Sequence, residues 1–421
     1  MNLAPHRSTA PRRAEDISLP RRITAFCVLM VFEFFYGWSW NTVDVLRPQI
    51  RDDLGLTLTQ VGSSYTAQSL GALIGAITFG TLADKYGRRI VLFWIIIATA
   101  ITAALGAFVE SYVQLMAQRF LLGLALGANF PVLIGLYMGL FSGNVRGKLT
   151  SIGQGTYNIS VIALGLAYGL YAERQDWHDL LLVGSLPALL LAPILFVVLP
   201  NDRYMAPWGA GGQDQAQVRL PLLELFDPRL RPKTMLLFAL VSLNFFAYQA
   251  FAGWNTTFLQ EVRGFDPKVV GDIVSTQFTG ALLGGFFWGW FSDRYGRKPV
   301  GVGFLVGAAA ILIYLTIART PSAIAIAGFA WGFAITASVA WAPWISEMYP
   351  ARVRSSAMSI FNWGRIVSMT APLITGQIAS SFGLQVAMAL SIIGFGAGGI
   401  VWFLLPETHR RNPKDHKGPV A

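Results

Sequence analysis

Long apolar stretches alternate with short polar ones along almost the whole chain. An α-helix needs about 20 mainly apolar residues to cross the hydrocarbon of a bilayer. Twelve segments meet that length: 23–44, 60–83, 90–109, 113–141, 150–171, 179–199, 235–259, 270–291, 299–318, 322–345, 354–381 and 386–405. The longest polar interruption, 200–234, is rich in Gly, Pro and Gln and reads as a linker between two six-helix halves. Its LPLLELF stretch suits a short helix lying on the membrane surface. The pattern predicts an all-α membrane protein with twelve transmembrane helices in two pseudo-symmetric bundles. Its parts are a tail (1–22), a first bundle (23–199), the linker (200–234), a second bundle (235–405) and a polar, disordered tail (406–421).

The polar positions repeat as well. FGTLADKYGRR at 79–89 returns 209 residues later as WGWFSDRYGRK at 288–298. Gly80, Asp84, Lys85, Gly87, Arg88 and Arg89 in the first copy match Gly289, Asp293, Arg294, Gly296, Arg297 and Lys298 in the second. Gly37-Trp38-Ser39-Trp40-Asn41-Thr42 is echoed by Gly253-Trp254-Asn255-Thr256-Thr257, and Arg146 by Arg354. Internal duplication of membrane-spanning halves is how secondary transporters are built. No period of 20–50 residues is present, which excludes a solenoid.

Charge then fixes an orientation. The chain is 54% hydrophobic and 13% charged, against about 25% charged in ordinary soluble domains. Its net charge of +10 is distributed by side. With the N-terminus inside, 24 of the 32 Lys and Arg fall in inner loops and tails, 6 in outer loops, and Arg119 and Arg365 within spans. That is the positive-inside bias of a cytoplasmic-membrane protein with both termini in the cytoplasm, so nucleic acid is not an expected partner. The first 20 residues lack a signal-peptide apolar core, and the first span is expected to direct insertion. One cysteine, Cys27, rules out an intrachain disulfide. His6, His178, His409 and His416 lie outside the spans, no nucleophile–base set is visible, and no GKS or GKT phosphate loop occurs. Neither an enzyme nor a cofactor or metal is expected, and a monomer in lipid is.

The paired charged loops resemble the signature loop of the major facilitator superfamily. RFLLGLALGANFP at 119–131 is similar to fourth spans of its organic-acid/proton symporters, and SEMYPARVR (346–354) and PETHR (406–410) to pieces of its metabolite and sugar porters. The resemblance covers about residues 22–408. It implies two six-helix bundles around a central cavity open to each side in turn, moving a small molecule with protons. Two departures matter. Where aromatic-acid symporters carry Asp-Gly-x-Asp, this chain has Tyr36-Gly37-Trp38-Ser39, and span five lacks the Gly-Pro pattern of exporters.

Ionisable groups within a span are costly, about 2.5–3.5 kcal/mol each at the helix centre, and mark function by default. Glu33 sits near the middle of span one, and Asp44 lies eleven residues on along the same stripe. Both are candidates for proton coupling, though Glu33 could instead hold a structural hydrogen bond. Asp44 also has Arg47 three residues away to pair with. Arg119 could modulate a nearby acid or pair with Glu33 or a carbonyl. Arg365, mid-span, presents the planar fork that binds a carboxylate, or else a structural ion pair. Tyr36, Asn41, Gln154, Tyr157, Asn158, Tyr248, Asn255 and Trp341 are candidate substrate contacts, any of which could serve helix packing instead. Gly80, Asp84, Arg88, Arg89, Gly289, Asp293, Arg297 and Lys298 are expected to gate. The glycines would permit close approach, and the acids would accept from helix N-termini or pair with arginine. The resulting expectation is a proton symporter of a small organic anion, with a neutral sugar or polyol carrier or an exporter of apolar compounds as alternatives. A scaffold or sensor that has lost transport is a third.

Overall fold

The computed structural model describes residues 12–171, 177–202, 205–206, 224–350 and 353–408. Most of the N-terminal tail, most of the linker, the first four residues of LPLLELF and the end of the C-terminal tail lie outside the described residues. Among those described, the regular elements are helices apart from one two-residue parallel pairing of Arg12–Arg13 with Met205–Ala206.

Nine of the described helices are long and apolar enough to cross a membrane: Leu19–Val45, Leu58–Tyr86, Arg88–Phe108, Tyr112–Leu140, Trp177–Val198, Arg231–Val262, Pro299–Ile317, Pro321–Met348 and Leu384–Leu404. Gly143–Tyr171 and Pro267–Tyr295 have the length, 29 residues each, but are more polar. The eleventh expected span is helical in three pieces, Arg354–Met358, Ile360–Ser368 and Ala371–Phe382.

Interruptions follow the sequence. The fourth span starts where the Ser111 side chain accepts from Gln114 N, and it breaks after Leu126, just ahead of Pro131. A proline lacks the N–H that an unbroken helix would use there. Pro193 interrupts the sixth span in the same way. In the tenth, a 3₁₀ stretch at Thr336–Ala340 precedes Pro343.

By contact the chain falls into two units. The first comprises Met1–Val43, Ser64–Val161 and Arg174–Gln215; the second, Asp44–Ser63, Ile162–Glu173 and Ala216–Ala421. Each contains a glycine-notched helix pair. In the first unit a Cβ on Gly123 would stand 1.9 Å from Gln68 O, and one on Gly75 2.0 Å from Leu124 O. In the second, a Cβ on Gly332 would stand 1.9 Å from Gln277 O and one on Gly280 2.3 Å from Phe329 O. Backbones this close need residues without side chains, which is how helices associate where lipid supplies no hydrophobic drive. Gly127 and Gly284, one turn on, are as close: a Cβ on them would stand 2.0 Å from Ala72 O and 2.3 Å from Phe333 O.

The core of the first unit is aliphatic around Leu29, Leu92, Ile95, Leu133 and Leu195. The second includes a cluster of rings in edge and tilted contact, Phe304, Trp341, Trp344, Phe395 and Trp402. The second unit also holds the segment after Val43 and the end of the fifth span. Thr256 Oγ1 donates to Asp44 O at 2.9 Å, and Ser275 Oγ donates to Ile162 O at 3.0 Å.

Candidate functional site

Span one, Leu19–Val45, carries Glu33, Tyr36 and Asn41 on one helix. Glu33 is 1% exposed, and neither carboxyl oxygen has a hydrogen-bond partner. The hydrogen bonds considered for it, to Arg119 or within the bundle, are not made. One turn on, Tyr36 packs against Trp40 and Tyr157, with ring centroids 6.0 and 6.2 Å away. Asn41 Nδ2 donates to Tyr157 OH at 2.8 Å and to Gly37 O at 2.7 Å, and Trp40 meets Tyr65 edge-on at 6.5 Å. Tyr36, Asn41 and Tyr157 thus form one aromatic and polar cluster. Asn158 is buried on the same span as Tyr157, and Gln154 is exposed. Arg119 is fully buried in the fourth span.

Arg365, Tyr248, Asn255 and Trp341 of the second unit stand in four different environments. Arg365 is exposed, its guanidinium 5.9 Å from the Phe245 ring. Ile366 and Val367 beside it are exposed as well. Tyr248 stacks on Trp331 at 5.9 Å. Asn255 is enclosed: its amide donates to Gln277 Oε1 at 2.9 Å and accepts from Tyr314 OH at 2.6 Å. Trp341 is packed inside the ring cluster, 2% exposed.

Asp44 is ion-paired with the wholly buried Arg47, whose guanidinium also lies 4.5 Å from the Trp254 ring. The pair reading of Asp44 matches this geometry. Nearby, Tyr168 OH accepts from Gln49 Nε2 and from Gln260 Nε2, each at 2.6 Å, and Arg51 pairs with Glu261 at 2.6 Å.

The two charged loops turn at Gly87 (φ 96°) and Gly296 (φ 103°), a region that side chains avoid. Gly80 and Gly289 differ from expectation, since a Cβ on either would meet nothing within 4 Å. Arg297 is the most tightly held loop residue. It donates to Ser292 Oγ at 2.7 Å and Asp293 Oδ1 at 2.9 Å, and makes a two-pronged contact with Glu347 at 2.8 and 3.3 Å. Burial works against its charge, but the bonds to Glu347 and Asp293 outweigh it and hold the guanidinium above its ordinary value. Arg88 instead reaches Gly135 O at 3.0 Å, with Asp84 only at 4.0 Å, and Arg89 donates to Leu199 O at 2.8 Å.

Asp84 and Asp293 do not accept from helix N-termini; two other acids do. Asp202 takes the backbone N–H groups of Arg88 and Arg89 at 2.6 and 3.0 Å. Glu407 takes those of Arg297 and Lys298 at 3.0 and 2.8 Å. The sequence carries a signal for both, because each follows the Leu-Pro that ends its half: Leu199-Pro200 and Leu405-Pro406. Gln277, which holds Asn255, also had a signal in standing 209 residues after Gln68.

Comparison with known proteins agrees with this architecture. A family model described as Major Facilitator Superfamily matches residues 29–272 and 237–421. A gallate transporter of Pseudomonas putida is 26% identical over 421 residues, covering 92% of each chain. A 3-(3-hydroxy-phenyl)propionate transporter of Escherichia coli K12 is 27% identical, covering 95% of this chain and 98% of its own. Among solved structures, an inward-facing, unoccupied bacterial homolog of the human lysosomal transporter Spinster superposes with a TM-score of 0.76. At 15% identity, covering 92% of this chain and 97% of that one, it speaks for the fold alone. The chain is a member of the Major Facilitator Superfamily.

Proposed function

We propose that this protein carries a small organic anion, a carboxylate, across the cytoplasmic membrane together with a proton, by alternating access, with both termini in the cytoplasm. Glu33 is the observation that carries the coupling. A carboxylate charge buried without a hydrogen bond is expensive, so the group holds its proton in this arrangement. It releases the proton when rearrangement brings water or a cation to it. Asp44, already paired with Arg47, contributes to coupling only if that pair opens, and Arg119 would act through the field it adds to the first unit.

The substrate's carboxylate would be met by Arg365, whose exposed fork suits two parallel hydrogen bonds. The gallate and 3-(3-hydroxy-phenyl)propionate transporters support an aromatic acid. Tyr36, Asn41 and Tyr157 offer ring faces and a polar edge in the first unit, with Gln154 and Asn158 on the same span as Tyr157. Tyr248 does so in the second unit. Asn255 and Trp341 would support the second unit's surface from behind. The loop residues Asp84, Arg88, Arg89, Asp293, Arg297 and Lys298, with Gly80 and Gly289, would bias the conformational equilibrium.

Uptake of a labelled aromatic carboxylate into proteoliposomes tests the reading. An inward proton gradient should accelerate uptake and drive accumulation. Uptake of a neutral analogue in preference, or indifference to the gradient, would overturn it.

A further inference from the structure

The two ends of the Asn41 side-chain amide are used differently. Its nitrogen is 2.7 Å from Gly37 O, one turn back on span one, and 2.8 Å from Tyr157 OH on span five. An atom that close to a backbone carbonyl oxygen must be a donor, so Gly37 O fixes which way round the amide stands. Both amide N–H bonds are then engaged. Gly37 itself brings Tyr157 within reach: a Cβ there would stand 2.2 Å from Ser160 Oγ and 3.0 Å from the Tyr157 ring. A residue without a side chain lets spans one and five approach this closely.

The amide oxygen is left over. Asn41 Oδ1 accepts from no group among the described residues, yet it is not sealed in the interior as the Gln68 and Gln118 oxygens are. The residue keeps 6% exposure, and Trp40 and Tyr157 around it are half-buried. Tyr36 stands 6.0 Å from Trp40 and 6.2 Å from Tyr157 between ring centroids, so ring faces surround the amide. An acceptor anchored by two bonds at its other end, among aromatic rings, is preorganised to read a donor on a bound ring.

We propose that Asn41 Oδ1 determines specificity by accepting from an O–H or N–H group on the ring of an aromatic carboxylate, favouring hydroxy- and amino-substituted acids over unsubstituted ones. This rests on the carboxylate reading above and names the ring chemistry that reading leaves open. A carboxylate oxygen is itself an acceptor and is repelled by Oδ1, so the substrate's anionic end lies away from Asn41. An ether oxygen has no proton to give. A bare ring desolvates Oδ1 and returns no bond, and a site built around such a bond rejects the analogue lacking it more strongly than an apolar pocket rejects a missing methylene.

Titration calorimetry of the purified full chain tests this with 3- and 4-hydroxybenzoate, their methyl ethers, benzoate, and 3- and 4-hydroxybenzamide. At least one hydroxybenzoate should bind about tenfold or more tighter than its methyl ether and than benzoate. Asn41→Leu should weaken that hydroxybenzoate to the level of benzoate, while benzoate itself binds nearly as before. The comparison of ligands needs no variant, so it decides even where Asn41→Leu fails to fold. Equal binding of the hydroxybenzoates, their ethers and benzoate would overturn the proposal and leave the carboxylate reading intact. So would a preference that survives in folded Asn41→Leu protein. Hydroxybenzamides that bind as tightly as the hydroxybenzoates would instead sink the carboxylate reading on which this one rests. Absence of binding by both hydroxybenzoates would count against the proposal as well.

Discussion

Glu407 closes the start of the ninth span by accepting from the backbone N–H of Arg297 at 3.0 Å and of Lys298 at 2.8 Å. Asp202 does the same for the third span through Arg88 and Arg89. A carboxylate there satisfies two of the donors that every helix start leaves open and faces the positive end of the dipole. The internal duplication is thus preserved in a hydrogen-bonding pattern although the two acids differ in length and in distance from the preceding Leu-Pro.

Removing either carboxylate should therefore weaken its own half. Glu407→Ala and Asp202→Ala are each expected to cost about 1–2 kcal/mol, the usual loss when a helix cap is truncated, seen as a lower unfolding temperature in detergent. Asp84→Ala provides the contrast. Its side chain is 78% exposed and 4.0 Å from Arg88, so stability should not change measurably. Equal losses in all three variants would contradict the capping role.

Glycines predict a second contrast. Gly332→Ala would place a methyl 1.9 Å from Gln277 O, whereas Gly289→Ala would meet nothing within 4 Å. Forcing backbones apart in a packed interface typically costs 1–3 kcal/mol or more. Gly332→Ala should lower the unfolding temperature clearly, and Gly289→Ala should leave it unchanged. If Gly289→Ala nevertheless altered transport, its glycine would matter in another conformation.

Hydrophobic length made the spanning helices legible, because membrane crossing imposes a length, and the repeat of charged positions at 79–89 and 288–298 made the duplicated loops legible. The partners of individual side chains were less so. Asn255 looked like a cavity residue by its polarity, yet Gln277 and Tyr314 enclose it. That depends on which helix faces pack together, and a single sequence does not encode this as a period. Trp341 was open to two readings for the same reason, and lies among Phe304, Phe361 and Trp402. The capping by Asp202 and Glu407 has no local signature, because each acid sits more than 100 residues from the donors it satisfies.

Arg365 should discriminate by charge. Arg365→Ala is expected to weaken binding of an aromatic carboxylate at least tenfold, about 1.4 kcal/mol, and to leave the corresponding amide within twofold, as read by titration calorimetry. Arg365→Lys should recover only part of the loss, because an ammonium cannot present two parallel donors. Equal losses for acid and amide would make Arg365 a structural residue.

Glu33 gives the prediction on which the coupling reading depends. Its side chain is 1% exposed with both oxygens unpartnered, so in this arrangement the surroundings already suit a neutral group. Glu33→Gln keeps the shape and adds no charge, and the unfolding temperature should fall by no more than a few degrees. Glutamine cannot release a proton, however, so the cycle loses the step that ties substrate to the gradient. Gradient-driven accumulation in proteoliposomes should vanish, while exchange of labelled for unlabelled substrate across the membrane continues. Both measurements are needed. Loss of exchange and accumulation together would indicate a damaged carrier, and persistence of accumulation would place the coupling proton on another group, of which Asp44 is the nearest candidate in sequence.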